Sequence, residues 1–436
     1  MPSRRNIRIP SVSGATDHAS VLTANSGDAP HAMRRMVEAG DVDVITGDWL
    51  SEMNIAWESL RKAACPTTGY DMGFFDQLEE SIDQIHARKL KVITNAGAMN
   101  PSALAGKVET LCRSRGLELT VATVLGDDVS YLLEGPASKG RGQDFMHLDH
   151  AGERLEDWDD DLIPSGAIAY IGAWGITAAL QAGADIVICG RVTDASPVIG
   201  AAAWWYNWSR TSYDELAGAL IAGHLIECGP YATGANFSGF KEFLPSLVDL
   251  AFPVAEILPS GECLISKPES MAGFVNKFNI TAQLLYELQG ELYLNPDVVA
   301  DIKNIQVEET SIKDCVRVWG AIGLPPPETT KVMIAAPGGF QAETTYYLNG
   351  LDIQAKAQMM KQQLENVFEH SNFSKLSVEL YGGEATDPRS QQAGTAMLRV
   401  FAQARRKEDL VAEKFRIPIY SLRMQSYPGN IDPRLA

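Results

Sequence analysis

The chain has 436 residues, 45% of them apolar and 21% charged, enough for a full hydrophobic core and, by length, for two packed units. Lys and Arg number 37 against 55 Asp and Glu, a net charge of −18 that disfavours a nucleic-acid backbone or an anionic membrane as partner. The opening Met-Pro-Ser-Arg-Arg-Asn has no apolar signal region, and no run nears the ~18 apolar residues of a spanning helix, so a cytoplasmic protein is expected. The six cysteines show no CxxC or metal-type spacing, which argues against a disulfide framework or a zinc ribbon.

From Asn6 to about Ile199, short β-branched runs alternate with amphipathic stretches, as repeated β-α-β units would. Strands are expected at Ile7–Ser11, Val42–Thr46, Leu90–Thr94, Leu119–Leu125 and Asp185–Cys189, with helices at Ala29–Ala39, Phe74–Arg88, Ser102–Arg115 and Tyr170–Ala182. Asp28 before Ala29-Pro30 and Asn100 before Pro101 each pair a capping side chain with proline in the first helical turn, where amides can receive an anion. Residues 135–164, rich in Gly, Pro and charge, read as a long excursion, either a lid or surface decoration.

Past residue 240 the rhythm changes. Val254–Leu258 and Glu262–Ser266 flank Pro259-Ser-Gly261 as a hairpin, followed by a short helix at Thr281–Leu288. Strands at Lys331–Ala336, Glu343–Leu348, Lys375–Leu380, Ala396–Ala402 and Ile417–Leu422, with helices near Ile353–Glu369 and Lys407–Lys414, complete the pattern. The expected architecture is α/β: a mostly parallel Rossmann-like sheet with helices on both faces over 1–240, then a smaller α+β unit over 241–436.

The chemistry gathers where strands end. Val42–Thr46 is followed by Asp48 and Glu52, Leu90–Thr94 by Asn95 and Asn100, Leu119–Leu125 by Asp127 and Asp128, and Asp185–Cys189 by Arg191 and Asp194. In a parallel sheet these ends share one edge, where open α/β sheets bind ligands. His224 and Glu227 stand three apart on a helical stretch, close enough to share a proton. Each residue also has a structural reading: Asp and Asn after a strand cap helices, Arg191 pairs with Asp194, and His224 sits in an apolar face. A P-loop, a GxGxxG turn, a GxSxG elbow and HExxH are all absent. No resident cofactor is expected, although Asp48, Asp127, Asp128 and Asp194 are of a type that also suits a divalent metal.

The chain resembles the acyclic terpene utilisation (AtuA) family. The resemblance rests on Ser26-Gly-Asp28, Asp43-Val-Ile-Thr-Gly-Asp48-Trp-Leu-Ser-Glu52, Thr94-Asn-Ala-Gly97 with Asn100-Pro101, and Gly183-Ala-Asp through Gly190-Arg-Val-Thr-Asp194. It continues through Gly223-His, Glu227-Cys-Gly229, Gln283-Leu-Leu-Tyr-Glu287 and Pro296-Asp-Val298, in order over about residues 7–300. It implies a place in the degradation of citronellol and geraniol, with a step on a branched 3-hydroxyglutaryl-type acyl-CoA that releases acetate or an equivalent fragment. Longer relatives carry a ferredoxin-like C-terminal domain, which this chain is expected to lack. Ala98 and Ala272-Gly273 stand where the family usually has glycine and a glycine pair, which points to a different substrate.

The resulting expectation is a lyase or hydro-lyase acting on a carbonyl-containing acid or acyl thioester such as a CoA ester. Asp194 or His224 would be the base and Glu227 its orienting or protonating partner, with Asp48 and Asp128 as further acid/base groups. Arg191, Lys267, Asn100 and Asp28 would bind substrate, and Asn95 with loop amides would stabilise an enolate oxygen. An isomerase or cyclase would use the same groups, and a metabolite-binding protein the same pocket. A homo-oligomer is compatible with either.

Overall fold

The computed structural model describes residues 19–23, 31–39, 42–133 and 144–428. The strand expected at Ile7–Ser11 lies outside them, as does Asp28. The described residues form two compact units, divided between Ala336 and Pro337.

The first unit begins with β1 (Ala19–Thr23), α1 (Ala32–Ala39) and β2 (Val44–Gly47). Next come α2 (Glu52–Ala64), whose first turn is capped by the Ser51 hydroxyl, and α3 (Met72–Arg88), capped by the Asp71 carboxylate. The β-α alternation continues with β3 (Lys91–Thr94), α4 (Pro101–Arg115), β4 (Val121–Val124), β5 (Gly166–Ala169), α5 (Trp174–Gln181) and β6 (Ile186–Cys189). Two helices follow, α6 (Ser196–Tyr206) and α7 (Tyr213–Glu227). From Leu216 to Glu227, every residue of α7 except Gly218 is buried, as expected of a helix that is apolar nearly all round.

Strands β1, β2, β3, β6 and β4 lie parallel in that order. Successive residues of one strand serve opposite cores: Val44, Ile93, Val187 and Cys189 pack with α5, α6 and α7, whereas Ile45, Val92, Ile186 and Ile188 pack with α1, α3 and α4. Burial on both faces is why these strands read as uninterrupted apolar runs.

The sheet does not stop at its parallel part. On the far side of β1, β7 (Val254–Ile257) and β8 (Cys263–Ser266) form the expected hairpin and add antiparallel to β1. The chain then forms α8 (Lys277–Leu285), capped by Asn276, and the short strands β9 (Leu292–Leu294) and β10 (Val299–Asp301). Among the described residues, strands β11 (Gln306–Glu309) and β12 (Cys315–Trp319) complete a nine-stranded mixed sheet in the order β11-β12-β8-β7-β1-β2-β3-β6-β4. "Mostly parallel" therefore holds for one half only. A boundary near residue 240 would cut through this sheet, because β7 covers the open side of β1. The unit closes with β13 (Ile322–Leu324), beside β10, and β14 (Val332–Ala335), which pairs with β5.

The second unit is a separate α+β element: β15 (Phe340–Asn349), α9 (Ile353–Val367), β16 (Lys375–Tyr381), β17 (Thr395–Ala404) and α10 (Arg416–Ser421). Its sheet order, β15-β17-β16, with α9 connecting the two outer strands, is the split β-α-β arrangement of ferredoxin-like folds, so a unit of that topology is present after all. Residues 417–422, expected as a strand, are helical, with Ile419 and Leu422 packed against Phe415 and Leu364 in this unit's core. Among the described residues no helix is long and apolar enough to cross a membrane.

Candidate functional site

The ends of β2, β3 and β6 deliver Asp48, Asn95 and Arg191 to one edge, as the strand pattern implies. Asn95 is fully buried and faces inward: its amide nitrogen donates to Asp48 Oδ1 at 2.7 Å and its oxygen accepts from the Trp49 amide at 2.7 Å. It shapes the turn after β2 and holds Asp48, rather than facing a ligand. Ala98, at the glycine-favoured position, has φ +45 in the left-handed region and packs its methyl with Leu50, Ile55 and Ile168.

Arg191 is the centre of the edge. It is 2% exposed; one terminal nitrogen donates to the Leu50 carbonyl, the other to Asp194 Oδ1 at 2.7 Å, and the guanidinium lies 4.0 Å from the Tyr170 ring centroid. Burial opposes its charge, but Asp194, Tyr170, Asp48 and Glu52 hold it protonated. It is therefore an internal counter-ion, not an exposed anion receptor. Its own amide donates to Asp127 Oδ2 at 2.7 Å. Asp127, not Asp128, is the buried carboxylate after β4; Asp128 is exposed and accepts from the Ser130 amide in an Asx turn. Gly190 makes room for Asp127, since a Cβ there would stand 2.1 Å from Oδ2.

Asp194 keeps 35% of its side chain exposed and is the part of this cluster open to a ligand. Burial, then the charge of Asp48, raises its carboxyl well above the ordinary value, against the pull of Arg191; Glu227 and Glu52 push the same way. Beside it, residues that sequence reasoning had not assigned complete a hydrogen-bonded row. Tyr170 donates its phenol to Glu52, and Lys331, 42% exposed, lies 3.0 Å from Glu52 and 4.0 Å from the Tyr170 ring centroid. Burial opposes ionisation of Glu52, but Tyr170 and Lys331 together lower it to about 2. The sequence pattern puts Tyr170 at the start of a helix; it follows β5 instead, and β14 brings Lys331 beside it. The Gly-Ala-Ile-Ala run of β5 has only one β-branched residue, which is why its sequence did not announce a strand.

His224 and Glu227 are paired at 3.3 Å through Nδ1, and both are nearly buried, at 1% and 6%. The other ring nitrogen, Nε2, faces the carbonyls of Gln283 and Leu284 at 3.1 and 3.2 Å, so it carries a proton and caps the end of α8. Burial opposes charge on the ring, but Glu227 and the two carbonyls raise its pKa. With both nitrogens engaged, His224 is a buried support, not an exposed base. It still reaches the edge electrostatically, because Glu227 acts on Asp194 and Asp48 acts on Glu227.

The remaining candidates do not join the cluster. Asn100 donates to the carbonyls of Pro66 and Thr68 and does not cap α4. Lys267 donates to Met271 O at 2.8 Å and pairs with Asp314 at 3.4 Å, three strands from β2, or ~14 Å at the usual spacing. No three His, Cys, Asp or Glu side chains among the described residues form a metal-holding group. The described part of the 135–164 excursion is irregular and largely exposed.

No curated protein matches the chain. The family model described as acyclic terpene utilisation family protein AtuA matches residues 19–433, and the chain belongs to that family.

Proposed function

We propose that the protein is an acid/base lyase or hydro-lyase acting on a carbonyl-containing acid or acyl thioester, with Asp194 as the proton-carrying group. The observation that carries this reading is a part-exposed carboxyl whose affinity for protons is raised by burial and by Asp48, held in place by a buried arginine. A carboxyl so tuned works as a base nearer neutral pH than an ordinary aspartate. For water loss it takes a proton from the carbon next to the carbonyl, the electron pair forms the new double bond as the bond to the β-hydroxyl breaks, and the proton passes to that oxygen, which leaves as water. For acetate loss it takes the proton of the β-hydroxyl, the bond between the α and β carbons breaks to leave a ketone, and the proton returns to the departing carbon. Lys331 at the rim offers its ammonium to an anionic end of the substrate, and Tyr170 and Glu52 fix its position. The setting that goes with this chemistry is the cytoplasm, in keeping with six free cysteines.

The test is incubation with 3-hydroxyacyl and branched 3-hydroxyglutaryl thioesters in ordinary water, read by mass. Loss of water or acetate is expected, and Asp194→Asn is expected to slow it by ~10²-fold or more. Full turnover by that variant would overturn the assignment, and a product of unchanged mass would indicate an isomerase instead.

A further inference from the structure

An open surface pocket lies on another face of α2. It has a volume of about 370 Å³ and is lined by Asn54, Trp57, Glu58, Arg61 and Asp71, none of which belongs to the Asp194 cluster. Glu58 stands six residues after Glu52, about 240° further round the helix. A volume of this size is that of a small-molecule site.

Glu58 is the unusual member. It is 5% exposed, and although Oε1 meets Arg61 at 2.5 Å, Oε2 is buried without a hydrogen-bond partner among the described residues. A buried carboxylate oxygen left unpaired is costly and rare, which marks a place where a donor is missing. Arg61 does not supply it, and its own side chain is 62% exposed, so it covers Glu58 as a displaceable surface partner. Two carboxyl groups, Glu58 and Asp71, line the pocket against one arginine; burial and nearby Asp71 raise the Glu58 carboxyl, and Arg61 lowers it. Trp57 adds an indole that is 59% exposed, with Met53 and Leu60 exposed at 66% and 44% one turn either side. Carboxylates beside an open aromatic face recognise cations on apolar arms.

We propose that this pocket binds a small organic cation, a primary ammonium on an apolar arm, with the ammonium taking the place of the Arg61 guanidinium and donating to Glu58 while the arm lies on Trp57. An anion is disfavoured because two carboxyl groups, Glu58 and Asp71, line the pocket against one arginine.

The test is calorimetric titration of the full chain with 2-phenylethylammonium and with the uncharged 2-phenylethanol. The amine is expected to bind at least tenfold more tightly than the alcohol. Glu58→Gln should erase that preference while its circular dichroism and melting remain those of the parent, and Trp57→Ala should weaken amine and alcohol alike. Equal binding of amine and alcohol, or an undiminished preference in folded Glu58→Gln, overturns the proposal. So does loss of amine binding in Asp194→Asn with retention in Glu58→Gln, which would move the cation to the other cluster.

Discussion

At the scale of single residues, the site is a set of carboxylates kept apart by one arginine and seated with little spare room. Gly190 is an example: a methyl there meets the Asp127 carboxylate at 2.1 Å, and that carboxylate also holds the Arg191 amide. Gly190→Ala is expected to cost ~1–3 kcal/mol by overpacking, read as a lowered urea midpoint; an unchanged midpoint would mean Asp127 moves freely. His224→Ala is expected to cost more, roughly 3–5 kcal/mol, because it removes the imidazole that faces the buried Glu227 carboxyl and uncaps α8. Lost activity in that variant must therefore be read beside its stability, measured by the same denaturation. The sequence made Asp48, Arg191 and Asp194 legible, since a polar residue directly after an apolar strand has few places to go. It could not show which of Asp127 and Asp128 turns inward, because one residue of backbone rotation decides it.

At the scale of elements, the start of α5 couples to a titration. Asp297, 3% exposed, accepts from the Ala173 amide at 2.8 Å and presses on Gly172, where a Cβ would stand 2.2 Å from Oδ1. Burial raises its carboxyl to about 6, against the Ala173 hydrogen bond and Arg210. A carboxyl raised on folding favours the protonated native state, so its contribution to stability is full below the ordinary 3.8 and is lost as pH rises through about 6. Asp297→Asn keeps an acceptor and removes the titration. The difference in melting temperature between parent and variant should therefore change across pH 3.8 to about 6 and level off above it; a difference that stays flat would place the proton elsewhere. The elements themselves were legible where pattern and burial agree. Val-Ile-Thr-Gly, Lys-Val-Ile-Thr and Ile-Val-Ile-Cys lie within two residues of their expected strands. They fail at β5, too small-sided to look like a strand, and at 417–422, where packing on Phe415 overrides the β-branched composition.

At the scale of the whole molecule, the division between Ala336 and Pro337 makes two opposite predictions. Residues 337–436 alone have their own core, with Tyr346, Leu348, Met360, Leu364, Leu398 and Val400 buried, and should unfold in one cooperative transition. Residues 1–240 alone lose β7 and β8, exposing the edge of β1 and removing Ala255, Ile257, Cys263 and Ile265 from the core. That fragment should aggregate or show poorly dispersed amide resonances. A soluble, well-dispersed 1–240 together with an unfolded 337–436 would contradict the division.

What the amino-acid sequence determined by itself was local: doubly buried strands, the polar residues that must leave the sheet at its edge, and the family. Periodicity acts within a few residues, so it survives without any knowledge of the rest of the chain, whereas the cap expected of Asn100 did not form. Only the tertiary structure decided that the sheet continues antiparallel past β1, that Arg191 is a buried counter-ion, that His224 spends both nitrogens on Glu227 and α8, and that Tyr170 and Lys331 stand beside Glu52. These depend on pairings between residues far apart in the chain and on how much water each charge keeps, and neither quantity is a property of a local run of residues.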